Sequence, residues 1–166
     1  TSFHLDVHWT PLFPFGHGLS YTTFAYEHLR ASTAELPMDG TLTLSVDVIN
    51  VGHREGDEVV QLYVRDLVGS VTRPVRELKG FAKVDLEPGA SATVTVVLAE
   101  RDLSYWSTRA GGWVFEPGAF EVAVGASSRD LRQVAVVAVD GPPPALPLDR
   151  ESTLAEWIEH PVGHEV

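Results

Sequence analysis

Thr41-Leu-Thr-Leu-Ser-Val-Asp-Val-Ile-Asn50 decides the fold. Leu42, Leu44, Val46 and Val48 alternate with Thr43, Ser45, Asp47 and Ile49. That is a period of two, the signature of a strand with one buried face. A polar loop follows, Val51-Gly-His-Arg-Glu-Gly-Asp57, with two glycines to turn the chain. The next run, Glu58–Asp66, sends Val60, Leu62 and Val64 one way and Val59, Gln61, Tyr63 and Arg65 the other. It is the most apolar of the early runs, so it belongs inside a sheet rather than at an edge.

The pattern continues outward in both directions. Residues 67–76 form a longer loop holding Gly69 and Pro74, and Glu77–Leu86 reads as a strand broken by Gly80 beside Phe81. Glu87-Pro-Gly89 suits the middle of a type II turn, because proline presets φ and glycine tolerates the positive φ that follows. Ala90–Ala99 alternates again, Glu100–Trp106 predicts one short helical turn, and Gly111-Gly112 makes a hairpin break before Trp113–Glu116. Pro117-Gly118 turns into Ala119–Gly125, with Phe120, Val122 and Val124 inward, and Leu131–Val139 is the last strand. On the N-terminal side, Thr22–Ala31 predicts a first strand carrying Phe24, Tyr26 and His28 on one face, and Pro37–Gly40 a turn. Seven or eight short strands with regular turn signals predict an all-β, immunoglobulin-like antiparallel sandwich spanning residues 22–140.

Both ends differ from this middle. Residues 1–21 are aromatic, proline-rich and aperiodic, a linker whose rings Trp9, Phe13, Phe15 and Tyr21 need a surface to lie on. Residues 141–166 open with a proline-rich spacer, Gly141-Pro-Pro-Pro-Ala-Leu-Pro147, which is extended and semi-rigid. Ser152–His160 then predicts a short helix, with Thr153 and Glu156 as a capping box and Leu154, Trp157 and Ile158 on one face. So short a helix is marginal alone, so it docks on the sandwich or on a neighbour.

The chain has 166 residues, 44% of them hydrophobic, enough for one domain with a core plus end segments. With 12 basic and 23 acidic residues its net charge is −11, which repels polyanions and argues against nucleic acid as a partner. No apolar run approaches the ~20 residues of a membrane helix, so no membrane partner is expected. No signal peptide is visible, but Thr1 as first residue and Met38 as the only methionine read as a fragment or processed piece, which leaves the compartment open. With no cysteine there is neither a disulfide nor a thiolate metal site.

Candidate chemistry is thin. Glu55, Asp57 and Glu58 cluster in one loop, and Asp85 and Glu87 flank a turn, but charged residues in hairpin loops are ordinarily solvated and nothing puts these carboxyls in a cleft. His4 and His8 are four apart, as are His160 and His164, a spacing that chelates only on a helix. Pro161 and Gly163 break the second pair. In an extended chain, residues four apart lie about 13 Å from one another. Gly16-His-Gly-Leu-Ser-Tyr21 has a histidine near a serine but lacks a strand-to-helix elbow. No catalytic residue, metal site or cofactor is expected. Exposed rings could stack on sugar faces, and Trp106 and Trp113 are the candidates, against the alternative that strand aromatics pack in or beside the core.

Several stretches together resemble one known family. They are Pro11-Leu-Phe-Pro-Phe-Gly-His-Gly-Leu-Ser-Tyr-Thr-Thr-Phe24, Glu58-Val-Val-Gln-Leu-Tyr-Val-Arg-Asp66, Val71-Thr-Arg-Pro-Val-Arg-Glu-Leu-Lys-Gly-Phe81, Leu86-Glu-Pro-Gly89 and the closing hairpin Glu116–Asp130. In this order, over about residues 11–133, they resemble the C-terminal fibronectin type III-like domain of glycoside hydrolase family 3, the β-glucosidase and β-xylosidase family. The chain departs at Ser107, where the resemblance calls for an acidic residue. The resemblance implies that the nucleophilic aspartate belongs to an N-terminal barrel and the acid/base to an α/β sandwich or a loop near it. No residue here corresponds to either. It implies a noncatalytic module that braces the catalytic domains of its own parent chain, a retaining enzyme releasing terminal β-linked glucose or a related sugar. Trp9, Phe13, Phe15, Tyr21, Arg73 and Pro74 would be the interdomain contacts. Two alternatives stay open: a carbohydrate-binding module using Trp106 and Trp113, and an immunoglobulin-like adhesion repeat, which needs tandem copies that the chain does not show.

Overall fold

The computed structural model describes residues 10–37, 40–144, 146–150 and 152–160. Trp9, His4, His8 and His164 therefore lie outside the described residues. Among the described residues there are ten strands, β1 (Phe24–Ala31), β2 (Glu35–Pro37), β3 (Thr41–Asn50), β4 (Gly56–Asp66), β5 (Glu77–Leu86), β6 (Ser91–Ala99), β7 (Tyr105–Ser107), β8 (Gly112–Val114), β9 (Gly118–Gly125) and β10 (Leu131–Asp140), with helix α1 (Glu100–Leu103) between β6 and β7 and helix α2 (Leu154–Glu159) after β10. They build a three-stranded sheet in the order β1-β3-β6, a five-stranded sheet β2-β10-β9-β4-β5 and a small hairpin β7-β8.

The two larger sheets face each other because their apolar residues recur every second position. Leu42, Leu44, Val46 and Val48 of β3 and Val94 and Leu98 of β6 meet Val60, Leu62 and Val64 of β4 and Phe120, Val122 and Val124 of β9 in one core. Leu36 of β2 and Leu103 of α1 belong to the same core. β4 is internal as expected, paired with β5 on one side and β9 on the other.

Asn50, at the end of β3, is fully buried. Its Nδ2 donates to the carbonyls of Leu86 and Arg54, each at 2.7 Å. Its Oδ1 accepts from Thr22 Oγ1 at 2.7 Å and from the Gly52 amide at 3.0 Å. All four hydrogen-bonding positions of the amide are filled. One side chain thus ties together the end of the linker, the β3–β4 loop and the end of β5.

Four local expectations are corrected. His28 does not share a face with Phe24 and Tyr26: it sits at φ +53 in a register shift between Glu27 and Arg30, so its side chain is exposed and Leu29 packs on the core instead. Gly80 does not break β5. The strand runs through, the register shift at Leu62/Tyr63 absorbs the extra residue, and a Cβ on Gly80 would sit 2.6 Å from Val96 Cγ1. The helical turn stops at Leu103, and Tyr105 and Trp106 enter β7. β2, three residues long, runs parallel to β10 where no strand was expected.

Candidate interdomain surface

The linker is seated on the sandwich by its backbone. The Pro14 carbonyl accepts from the His17 amide at 3.0 Å, closing a turn around Gly16 at φ +78. The Phe15 carbonyl accepts from the Ser128 amide at 2.9 Å, and the Gly16 carbonyl from Gln61 Nε2 at 2.9 Å. Gln61 also donates to the Ala126 carbonyl at 2.8 Å and accepts from Tyr63 Oη at 2.6 Å. Burial pushes the Tyr63 hydroxyl above its ordinary value, so it stays a neutral donor. A Cβ on Gly16 would stand 1.9 Å from Gln61 Oε1 and 2.7 Å from Tyr63 Oη, so this approach requires glycine. Further along, Ser20 Oγ donates to the Asp57 carbonyl at 3.3 Å and the Val51 amide to the Thr23 carbonyl at 2.9 Å.

The side chains of the same segment point away. Phe13 is 65% exposed, Phe15 66%, Tyr21 90% and Leu19 91%. Phe13 stacks on His17, with centroids 5.1 Å apart. Register carries this surface onto the outer face of the five-stranded sheet. Gln61 pairs with Phe81 on one side, and the Tyr63 row runs through Ala123 to Val134 on the other. Phe81, Val134 and Val136 are all exposed.

The loop 67–76 is held from beneath by two acids. The buried Glu116 carboxylate accepts from the Ser70 amide at 3.1 Å, from Ser70 Oγ and from Tyr105 Oη at 3.1 Å. Asp66 pairs with Arg73 at 2.9 Å. Arg73 also donates to the carbonyls of Leu103 and Ser104 at 3.0 and 3.1 Å. Its guanidinium therefore points inward, whereas Pro74, Val68 and Val75 face outward.

Trp106 and Trp113 pair directly across the β7–β8 hairpin, edge to face at 5.5 Å, and each is about half exposed. The Arg101 guanidinium lies 3.1 Å from the Trp113 ring centre and covers that ring. Ser107, at the point of departure from the family pattern, is buried, and its Oγ accepts from the Ala110 amide at 3.1 Å, closing the hairpin turn. Arg109 in that turn reaches the tail: Nε donates to the Pro147 carbonyl at 2.6 Å, Nη1 to Glu156 Oε1 at 2.5 Å and Nη2 to Ser152 Oγ at 2.5 Å. The Thr153 amide and then Arg109 hold the Glu156 carboxyl below its usual range. Loop 67–76, the hairpin and the tail enclose a groove of about 1270 Å³.

Sequence reading singled out the linker rings but not their seat. In the sequence Gln61 is only one residue on the second face of its strand and Gly16 only part of a turn, while Arg109 and Glu116 carry no local signal, because their partners lie 11 to 47 positions away.

Comparison with known proteins gives a consistent picture. The family model for the fibronectin type III-like domain matches residues 58–128. Thermostable beta-glucosidase B of Acetivibrio thermocellus is 48% identical over 121 residues, 73% of this chain and 16% of that protein. An exo-alpha-(1->6)-L-arabinopyranosidase of Bifidobacterium breve is 39% identical over 153 residues, 92% of this chain and 20% of that protein. The crystal structure of a Bifidobacterium adolescentis GH3 beta-glucosidase matches with a TM-score of 0.80 at 45% identity, covering 92% of this chain and 22% of that one. The chain thus spans about a fifth of the length of these proteins.

Proposed function

This chain carries the fibronectin type III-like domain of family 3 glycoside hydrolases, and on that premise we propose that it is a noncatalytic module bracing the catalytic domains of a β-glucosidase-type enzyme. The parent enzyme hydrolyses terminal non-reducing β-D-glucosyl or related residues. Relatives named as a β-glucosidase, a β-xylosidase and an α-L-arabinopyranosidase support that range of sugars.

One observation carries the bracing role. The linker backbone is bonded to Gln61 and Ser128 while Phe13, Phe15, Leu19 and Tyr21 project outward. A segment fixed in place with its apolar side chains displayed is built for a second surface, and a hydrolase core in the same chain supplies one. Phe13, Phe15 and Tyr21 are the contacts, with Pro74 as a further point beside the inward Arg73. In the whole enzyme, Phe13→Ser with Phe15→Ser is expected to lower the melting temperature of the catalytic part. The isolated chain is expected to fold yet to leave aryl β-glucosides intact. Turnover proportional to the concentration of the isolated chain, or an unchanged melting temperature in the double variant, would sink the proposal.

A second reading, carbohydrate binding at Trp106 and Trp113, is favoured by their half-exposed rings on a groove. Arg101 across Trp113 weighs against it, since a stacking sugar needs that face. Retention on insoluble β-glucan, lost in Trp106→Ala, separates the two.

A further inference from the structure

None of the linker rings lines the groove between loop 67–76, the β7–β8 hairpin and the tail, and of the bracing contacts proposed above only Pro74, with Arg73 beside it, borders it. Its size speaks first. Small-molecule and cofactor pockets run to about 300–1,000 Å³, and this groove reaches about 1270 Å³. Its walls speak next. Trp106, Trp113, Val71, Pro74 and Pro143 give it an aromatic and aliphatic lining. The charged groups on it are already engaged: Arg73 with Asp66, Lys79 with Glu77, Arg109 with Glu156, and Arg101 on the Trp113 ring. A sugar needs polar partners for its hydroxyls, and pairing among these groups leaves fewer of them to serve. Such a lining suits an extended or helical polypeptide segment that reads apolar pockets.

The tail beside the groove is inside out. α2 turns Glu156 toward the protein, onto Arg109, yet Leu154 is 76% and Ile158 55% exposed. A helix whose final resting place were this sandwich would bury that stripe. α2 is instead held by polar bonds, with Leu154 and Ile158 left for another surface.

We infer that the groove is a socket for a segment of the same enzyme's chain lying outside residues 1–166, with the tail as its outer wall and Arg109 as the pin. The inference rests on the reading that this chain is one module of a longer hydrolase. The occupant follows from the relatives. The match to the Bifidobacterium breve protein spans 92% of this chain, so wherever it begins it takes in both hairpin and spacer, and it fills only 20% of that protein. The hairpin and the spacer therefore have counterparts within a chain about five times as long.

The test uses the whole enzyme, with p-benzoylphenylalanine in place of Trp106 and, in a separate preparation, in place of Phe15. After irradiation, adducts are mapped by mass spectrometry. Cross-links from position 106 to peptides of the same molecule outside residues 1–166 are expected. If position 15 finds such peptides but position 106 joins only its own tail, a second molecule or nothing, the socket is overturned and the bracing role stands. If neither position finds them, both fall. Suppression of the position-106 adduct by laminarin oligosaccharides overturns the socket in favour of sugar. Arg109→Ala is expected to speed proteolytic cleavage of the spacer by roughly tenfold and to reduce the adduct, with Arg109→Lys intermediate because it keeps the charge but not the fork. Unchanged cleavage in Arg109→Ala overturns the pin.

Discussion

The sandwich and its two attached segments are held by opposite physics. Between the sheets, apolar side chains turn inward and the contacts are non-directional. In the linker and tail, apolar side chains turn outward and the attachment is made by a few directional bonds from Gln61, Ser128 and Arg109. The sandwich is therefore complete by itself, whereas the segments are complete only in geometry. The fold supplies them with a shape and leaves their hydrophobic surface for something else.

The comparison can be broken at its strongest point first. Leu62→Ala removes a fully buried side chain between the sheets and is expected to cost about 2–5 kcal/mol in urea unfolding. Asn50→Ala strands the Leu86 carbonyl and the Thr22 hydroxyl, for about 2–4 kcal/mol. If it cost nothing, the linker would not be tied to the sandwich through this amide. Gly16→Ala should cost less overall, about 1–2 kcal/mol, because it clashes only at the linker's seat and demands a left-handed φ of alanine. Its clearer sign is earlier proteolysis within residues 10–21 while the sandwich stays folded. Phe15→Ser in the isolated chain should stay within about 0.5 kcal/mol, since the ring touches water rather than core. A larger loss would place that ring on its own sandwich.

The smallest effect is electrostatic. Burial raises the Glu58 carboxyl above its ordinary value, with its backbone amide bond at Val59 opposing. The unfolded chain then releases that proton more readily, so the ionised form weakens the fold at neutral pH and protonation restores it as pH falls through the raised value. Glu58→Gln should gain less than about 0.5 kcal/mol at pH 7 after solvent screening, and the gain should vanish in acid. Asp130 runs the other way. Its bond to Arg132 lowers it, so its contribution is present above the usual carboxylate range and disappears as pH drops below it.

What could be read in the sequence was what is local. The alternation in β3, β4, β6 and β9, the Pro88-Gly89 turn and the Thr153/Glu156 cap all follow from neighbours within a few positions. His28 was missed because a register shift set by β3 puts a non-glycine residue at positive φ, and nothing at Glu27–Arg30 announces it. β2 was missed because three residues carry no period, and its pairing with β10 spans about a hundred positions. The groove joins residues near 70, 106 and 147, so it exists only after folding. The inward turn of Arg73 depends on Asp66 and on two carbonyls at 103 and 104, which no pattern around Pro74 reveals.

The short strand β2 also bears on how this chain behaves when crowded. An open sheet edge is a template on which other molecules can stack. Here the outermost strand has only three residues and ends at Pro37, which has no amide hydrogen to offer. The Thr33 hydroxyl donates to the Glu35 carbonyl at 2.6 Å and lies 3.2 Å from the Glu35 amide, occupying both groups. A stray strand arriving along β2 itself finds almost no ladder to continue. The stretch of margin that β2 forms is thereby a poor template for another strand.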